Sequence, residues 1–173
     1  MTRLTEDLLW LARIDGDDRQ KWKRVDLTQM LREMFQTYQP LAINKHIDLQ
    51  VEIAHQLFVT GDEFQLSRVF TNLIENALHY TPDRGKIFIQ TEQTKQYVLI
   101  RVRDTGVGID HEHLSTIFDR FWRADRSRTQ WEGGSGLGLS IVQSILARHG
   151  GKISVTSEID RGSCFTVQLL LAS

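Results

Sequence analysis

The stretch Asp104-Thr105-Gly106-Val107-Gly108-Ile109 decides how the rest of this chain is read. A β-prone run, Val98 to Val102, leads into the acid, and two glycines one residue apart follow it. A carboxylate at a strand end accepts hydrogen bonds from an exocyclic amine. Glycines let backbone approach a flat ring where a side chain would collide. The combination reads as a socket for a purine edge. Asp-Thr-Gly is also an ordinary turn, so the reading draws its force from the flanks.

Upstream, Asp62 opens a helix with Gln65 three residues on, a capping-box pattern. Leu66, Val69, Phe70, Leu73, Ile74 and Ala77 make its apolar face. Arg68, Asn72, Asn76 and His79 fall on an adjacent stripe. Asparagine is a mediocre helix former. Two of them one turn apart are either a solvated face or amide oxygens aimed at a hard cation such as Mg²⁺.

Downstream, Gly133-Gly134-Ser135-Gly136-Leu137-Gly138-Leu139 runs into a helix carrying Ile141, Val142, Ile145 and Leu146, closed by His149-Gly150-Gly151. Glycines at a helix start present unpaired N–H groups to an anion, and the helix dipole adds to this. No lysine follows, so this is not a P-loop. No strand immediately precedes it and the acid expected downstream is absent, which excludes the dinucleotide-binding fingerprint. The alternative is a flexible linker, but such linkers do not usually lead directly into a strongly apolar helix. Before the glycines, Ile117 to Arg123 is aromatic and basic, Arg126 and Arg128 follow, and polar residues continue to Glu132. A long loop of poor periodicity is more often functional than accidental. Phe118 and Phe121 are candidates to fix it to the body, and the planar fork of Arg123 suits a phosphate.

The remaining segments fill in an α+β pattern. Val25 to Leu27 reads as a short strand, and a helix beginning at Asp26 or Thr28 ends near Pro40 or Ala42. Ile47 to Ile53 and Phe58 to Thr60 read as strands, Lys86 to Thr91 and Tyr97 to Arg103 as a hairpin. Ile153 to Thr156 and Cys164 to Leu171 close the chain around an Asp160-Arg161-Gly162 turn. His111-Glu112-His113 reads as solvated, because histidines at i and i+2 do not share a helix face. Residues 1–15 read as an amphipathic helix with Met1, Leu4, Leu8 and Leu11 at heptad spacing, either packed on its own domain or one half of a dimer stalk. Residues 16–24 read as a linker and 25–173 as the main domain.

Bulk properties exclude several classes. A net charge of −1 argues against a nucleic-acid-binding surface. The single cysteine, Cys164, excludes an internal disulfide. No apolar run is long enough to span a bilayer, and the first residues lack the pattern of a signal peptide.

Four separated motifs, in this order and spacing, resemble those of the ATP-binding catalytic domain of bacterial sensor histidine kinases. The wider group is the ATPase superfamily that includes gyrase and heat-shock chaperones. The resemblance covers roughly residues 25 to 171. Asn72-Leu73-Ile74-Glu75-Asn76-Ala77 is similar to the asparagine box and Asp104 to Ile109 to the first glycine box. Phe118 to Phe121 is similar to the phenylalanine box and Gly134 to Leu139 to the second glycine box. The resemblance implies a two-layer α/β sandwich of the Bergerat type, with a mixed, mainly antiparallel sheet covered on one face by about three helices, and a mobile ATP lid over residues 119–133. It implies ATP and Mg²⁺ as ligands. Asp104 would bond the adenine amino group, Gly106, Gly108 and Ile109 would shape that pocket, and Tyr80 would lie near the adenine or ribose. Asn76 would coordinate Mg²⁺ with Asn72 supporting it. Asn72 and Arg123 would carry the catalytic contacts, Arg123 at the γ-phosphate. Ser135, Gly136, Leu137, Gly138 and Leu139 would hold phosphates, and His79, Phe121 and Thr166 would complete the nucleotide contacts.

There are departures from the family pattern. His79 stands where lysine or arginine is usual, and a histidine carries less charge at pH 7. The phosphoacceptor histidine, followed by an acid in an upstream helix, is not found in that setting among the six histidines. Leu11-Ala12-Arg13-Ile14-Asp15 instead resembles the end of the second helix of the dimerisation hairpin. A fragment that binds ATP without labelling itself is therefore expected. It would be monomeric and cytoplasmic, cut from a homodimeric parent anchored in the bacterial inner membrane, and would work with the dimerisation domain and a response regulator. The rivals are an ATP-hydrolysing clamp, a nucleotide-binding regulatory module without turnover, and an anti-sigma-factor serine kinase. The clamp relatives carry an acid four residues before the magnesium asparagine, where this chain has Asn72.

Overall fold

The computed structural model describes Thr5, Asp7, Leu9, Trp10, residues 22–122 and residues 135–172. The heptad positions Met1, Leu4, Leu8 and Leu11, Arg123 and most of the expected lid lie outside the described residues.

In chain order the elements are β1 (Lys23–Asp26), α1 (Leu27–Asn44), β2 (Asp48–Glu52), β3 (Phe58–Gly61) and α2 (Glu63–Tyr80). The hairpin β4 (Lys86–Gln93) and β5 (Tyr97–Asp104) follows, then α3 (Gly138–Arg148), β6 (Lys152–Glu158) and β7 (Gly162–Leu170). The main sheet has the order β2-β4-β5-β7-β6, and β1 pairs with β3 in a separate two-stranded ribbon. Only β2 and β4 run parallel in the main sheet; its other pairs are antiparallel. The fold is thus three helices with a mixed, mostly antiparallel sheet, as the motifs imply.

Alternation explains which face the helices cover. Ile87 and Ile89 on β4, Val98, Ile100 and Val102 on β5, and Phe165, Val167 and Leu169 on β7 are buried and fall on one side. They meet Leu66, Val69, Phe70, Leu73 and Ile74 of α2 and Ile141, Val142, Ile145 and Leu146 of α3 in one continuous core. Arg101, Cys164, Thr166 and Gln168 take the other side of the sheet.

One helix end differs from the sequence reading. Helix α1 runs through Pro40 to Asn44 rather than stopping at 40–42. Its end is a Schellman motif: Ile47 N–H donates to Ala42 O and His46 N–H to Ile43 O, with buried Ala42 and Ile47 beside it. The left-handed residue is His46, φ 53°, so the glycine that normally marks such an end is missing. Helix α3 closes with the same motif on Gly150, φ 63°, where the signal was present.

The start of α2 is built differently from a full capping box. Asp62 accepts from Gln65 N–H, but Gln65 Oε1 is buried without a hydrogen-bond partner. Asp62 N–H instead donates to His149 Nε2 at 3.1 Å, while His149 Nδ1–H donates to Ile145 O at 2.8 Å. The ring also stacks on Trp22, centroids 4.7 Å apart. A Cβ at Gly61 would sit 2.5 Å from His149 Cδ2, so glycine is required there.

Burial holds the His149 imidazole neutral, below its ordinary value of 6.5. Above that value both folded and unfolded chains are neutral at this site; below it the unfolded chain takes a proton that the folded chain declines. Stability is therefore lost as pH falls through about 6.5, with a contribution approaching 1.4 kcal/mol per pH unit. Urea unfolding at pH 7.5 and 5.5 should show this loss in the native chain and a shallower one in His149→Gln.

Candidate functional site

Strand β5 ends in Asp104, which is 5% exposed. Its Oδ1 accepts from Gly106 N–H at 2.8 Å and from Ser163 N–H at 3.3 Å. Both bonds use Oδ1, so Oδ2 remains for an incoming donor. Burial pushes this carboxyl above the ordinary carboxylate range, and the two N–H donors pull the other way. A half-satisfied buried acid is costly to keep, and such groups concentrate at functional sites.

The glycines around it answer to backbone rather than to a ring. A Cβ at Gly106 would lie 2.6 Å from Tyr80 O, and one at Gly108, φ 71°, would lie 2.0 Å from Glu158 O. One at Gly162, φ 97°, would lie 2.0 Å from Asp104 O. The end of β5, the end of α2 and the β6–β7 turn thus interlock through main chain. Val107 N–H donates to Tyr80 O, Asp160 N–H to Val107 O, and Ile109 N–H to Ser157 Oγ at 2.8 Å. At these three positions the crossing main chain excludes a side chain.

The second half of the site lies between α2 and α3. Asn72 is 1% exposed, which removes the solvated-face reading for it. Its Nδ2 is buried without a hydrogen-bond partner, and a Cβ at Gly138 would come 3.3 Å from its Oδ1. The first turn of α3 has no side-chain cap and no acid, so its leading N–H groups are available to an anion. Ser135 Oγ accepts from Leu137 N–H at 3.2 Å. Asn76 is half-buried one turn beyond Asn72 on the same stripe. An amide oxygen flanked by an anion-binding helix end fits Mg²⁺, which keeps water and phosphate oxygens in its shell. The orphaned Asn72 amide beside it is the kind of group that a ligand or water satisfies.

Other expected residues are placed as follows. Tyr80 is exposed at the end of α2, edge-on to His79 with centroids 4.8 Å apart. Leu137 is fully buried, so its side chain serves packing and only its main chain can face a ligand. Leu139 is partly buried against the core. Phe118 packs on the core, but Phe121 is 59% exposed at φ 64°; it is tied by its N–H to Gly136 O at 2.9 Å. A Cβ at Gly136 would meet Phe121 Cα at 2.9 Å. Thr166 stands apart from the group: strand alternation sets it with Cys164 and Gln168 on the face opposite Phe165 and Val167. Ser163, on the Asp104 side, was not singled out in the sequence. Neither were Ser157 and Thr81, whose Oγ1 is buried and unpartnered at the end of α2.

His111–His113 forms a short 3-10 turn capped by Asp110, with His113 against Trp122. Among the described residues no group of three or more His, Cys, Asp or Glu could hold a metal ion. No described helix is long and apolar enough to cross a membrane.

A buried acid with its glycines at one end and an asparagine helix facing an uncapped helix start at the other define a nucleotide-binding ATPase domain. The chain belongs to the histidine kinase-, DNA gyrase B- and HSP90-like ATPase family, whose profile matches residues 61–173. It is 37% identical over its full length to the sensor histidine kinase RppB of Synechocystis sp., of which it spans 38%. Among solved structures it resembles the catalytic domain of histidine kinase ThkA, with TM-score 0.76 and 28% identity over 86% of this chain and 97% of that one. Full-length ShkA in complex with AMPPNP matches with TM-score 0.84 and 26% identity, over 98% of this chain and 35% of that one. ThkA in complex with response regulator protein TrrA matches at TM-score 0.73 and 25% identity, over 97% and 49%.

The interlock has a direct consequence. Gly108→Ala forces a left-handed alanine onto the Glu158 carbonyl and should cost about 2–4 kcal/mol, from the left-handed penalty plus the displaced β6–β7 turn. Chemical denaturation measures this.

Proposed function

We propose that this chain is the catalytic part of a sensor histidine kinase, which moves the γ-phosphoryl group of Mg²⁺-ATP to a histidine on a dimerisation helix hairpin. The bond from the β–γ bridging oxygen to phosphorus breaks, releasing ADP; a bond from the unprotonated imidazole nitrogen to phosphorus forms, and the proton on the other ring nitrogen leaves to solvent. The phosphoryl group then passes to an aspartate of a response regulator, in keeping with the ThkA–TrrA complex. Residues 1–15 are read as the end of the hairpin and 16–24 as a linker whose last residues, Lys23 and Arg24, already pair in β1 with the 25–173 catalytic domain, in a homodimeric, membrane-anchored parent.

In this reading Asp104 Oδ2 accepts the adenine amino group, and Gly106, Gly108 and Ile109 form the pocket wall. Tyr80 flanks the base or ribose. The main chain from Ser135 to Leu139 holds the phosphates, with His79, Phe121 and Arg123 contributing. Asn76 holds Mg²⁺, with Asn72 behind it; the ion would neutralise charge on the phosphates. Thr166 would act only from the far face of the sheet. The protein's contribution is positioning and charge neutralisation rather than covalent chemistry.

The observation that carries transfer over hydrolysis is Asn72, buried against the start of α3. An amide cannot deprotonate water, and the clamp relatives have an acid at that position. Mixing the chain with a histidine-bearing dimerisation hairpin and labelled ATP should label the hairpin histidine and leave the chain itself unlabelled. Rapid phosphate release with no labelled histidine would favour the clamp.

Asp104→Asn tests the base pocket. The Gly106 and Ser163 N–H groups fix the amide oxygen, so its NH₂ turns to the ligand as a donor. ATP should bind about 10- to 100-fold more weakly, the scale of a charged hydrogen bond, while ITP, which offers an acceptor there, should lose less. Calorimetry with both nucleotides reads the ratio.

A further inference from the structure

Far from the base pocket, a buried carboxylate from the start of the chain reaches the other end of the site. Asp7 is 1% exposed and lies in a helical segment with Thr5, Leu9 and Trp10. Its Oδ1 accepts from Arg68 Nη2, and its Oδ2 accepts from the Ser135 hydroxyl at 2.5 Å. Three residues on, and so on the same helix face, Trp10 stacks on Phe64 of α2 with centroids 5.0 Å apart. The segment is thus seated on α2 by an apolar contact and an ion pair, and reaches the glycine stretch by a hydrogen bond from a hydroxyl to its carboxylate.

The donors it engages are those beside the uncapped start of α3. A hydroxyl has one proton, and Ser135 gives its proton to Asp7. Leu137 N–H is turned onto Ser135 Oγ. The guanidinium of Arg68, one turn before Asn72 on the same stripe, is engaged by Asp7. Two of these donors point at an anion that belongs to the chain itself, and the third, Leu137 N–H, points at the hydroxyl which that anion engages.

We propose that Asp7 is an internal competitor of the terminal phosphate: seating of the Asp7–Trp10 segment and engagement of a triphosphate at the α3 end oppose one another. The proposal rests on the nucleotide reading above and adds a regulatory contact to it. Two anions share one set of donors and repel each other at close range. ADP lacks the terminal group and escapes most of the competition. The coupling is reciprocal, so ATP, more than ADP, releases the segment from α2.

Calorimetry with Mg²⁺-ATP and Mg²⁺-ADP on the full chain, on Asp7→Asn and on Trp10→Ala tests this. Asp7→Asn keeps the shape and removes the charge; Trp10→Ala loosens the seat without touching the charge. Both variants should bind ATP about fivefold tighter or more, the lower end of ordinary coupling, with ADP shifted less than about twofold. Unchanged or weaker ATP binding in both variants, with the native chain binding both nucleotides, overturns the competition and leaves the proposed function standing. A gain in Asp7→Asn alone overturns the seating half and reduces the effect to local charge. Failure of the native chain to bind either nucleotide overturns the nucleotide reading and the competition with it.

Discussion

The structure depends on keeping one carboxylate buried and half-used. Asp104 ends a central strand, and water is largely excluded from it. Two main-chain N–H groups hold one oxygen and leave the other open. Gly106 is local, two residues on; bringing in the other donor, Ser163, 59 residues away in sequence, requires backbones to cross at closer range than side chains allow. Gly106, Gly108 and Gly162 are the residues at those crossings, each facing a carbonyl oxygen of another segment. The pocket is therefore rigid for a main-chain reason, and its one adaptable group is the acid.

The opposite end is softer in chemistry. Asn72 is as buried as the core leucines but keeps an amide donor without a partner. An acid in the same place would be strongly desolvated and would have to take up a proton or a cation. The amide avoids that problem and can still orient a neighbour. In the proposed reading, that difference removes a base for water from this end of the site.

Legibility in the sequence followed the range of the interaction. Local patterns gave the elements: apolar periodicity in α2 and α3, alternation in β4, β5 and β7, and Asp62 as a helix cap. The four motifs point to one candidate site: the asparagine box lies within α2, and the two glycine boxes lie at the end of β5 and the start of α3. What escaped was non-local. His149 looked like part of a glycine-marked helix end, whereas it accepts from Asp62 N–H, 87 residues away in sequence, and bears on Gly61. Ser163 falls between the Asp160-Arg161-Gly162 turn and the strand expected from Cys164, so nothing local marks it as a donor to Asp104. A Schellman end on His46 had no glycine to announce it. The apolar seat of Trp10 on Phe64 could not be read from heptad spacing, since it joins the amphipathic segment to its own domain.

Magnitudes bear on how firmly that segment can sit. An aromatic stack contributes about 0.5–1.5 kcal/mol beyond buried area. The Asp7–Arg68 pair gains Coulomb energy but loses hydration of both groups, so its net worth is small although breaking it by removing one partner is costly. Ordering the segment costs about 1–2 kcal/mol of backbone entropy per residue. Against that cost the stack and the pair are modest, so the seat has little free energy in reserve, which is the condition for a contact that a competing anion can displace. The balance places the choice between seated and released in the charge at the start of α3, where the site and its neighbour meet.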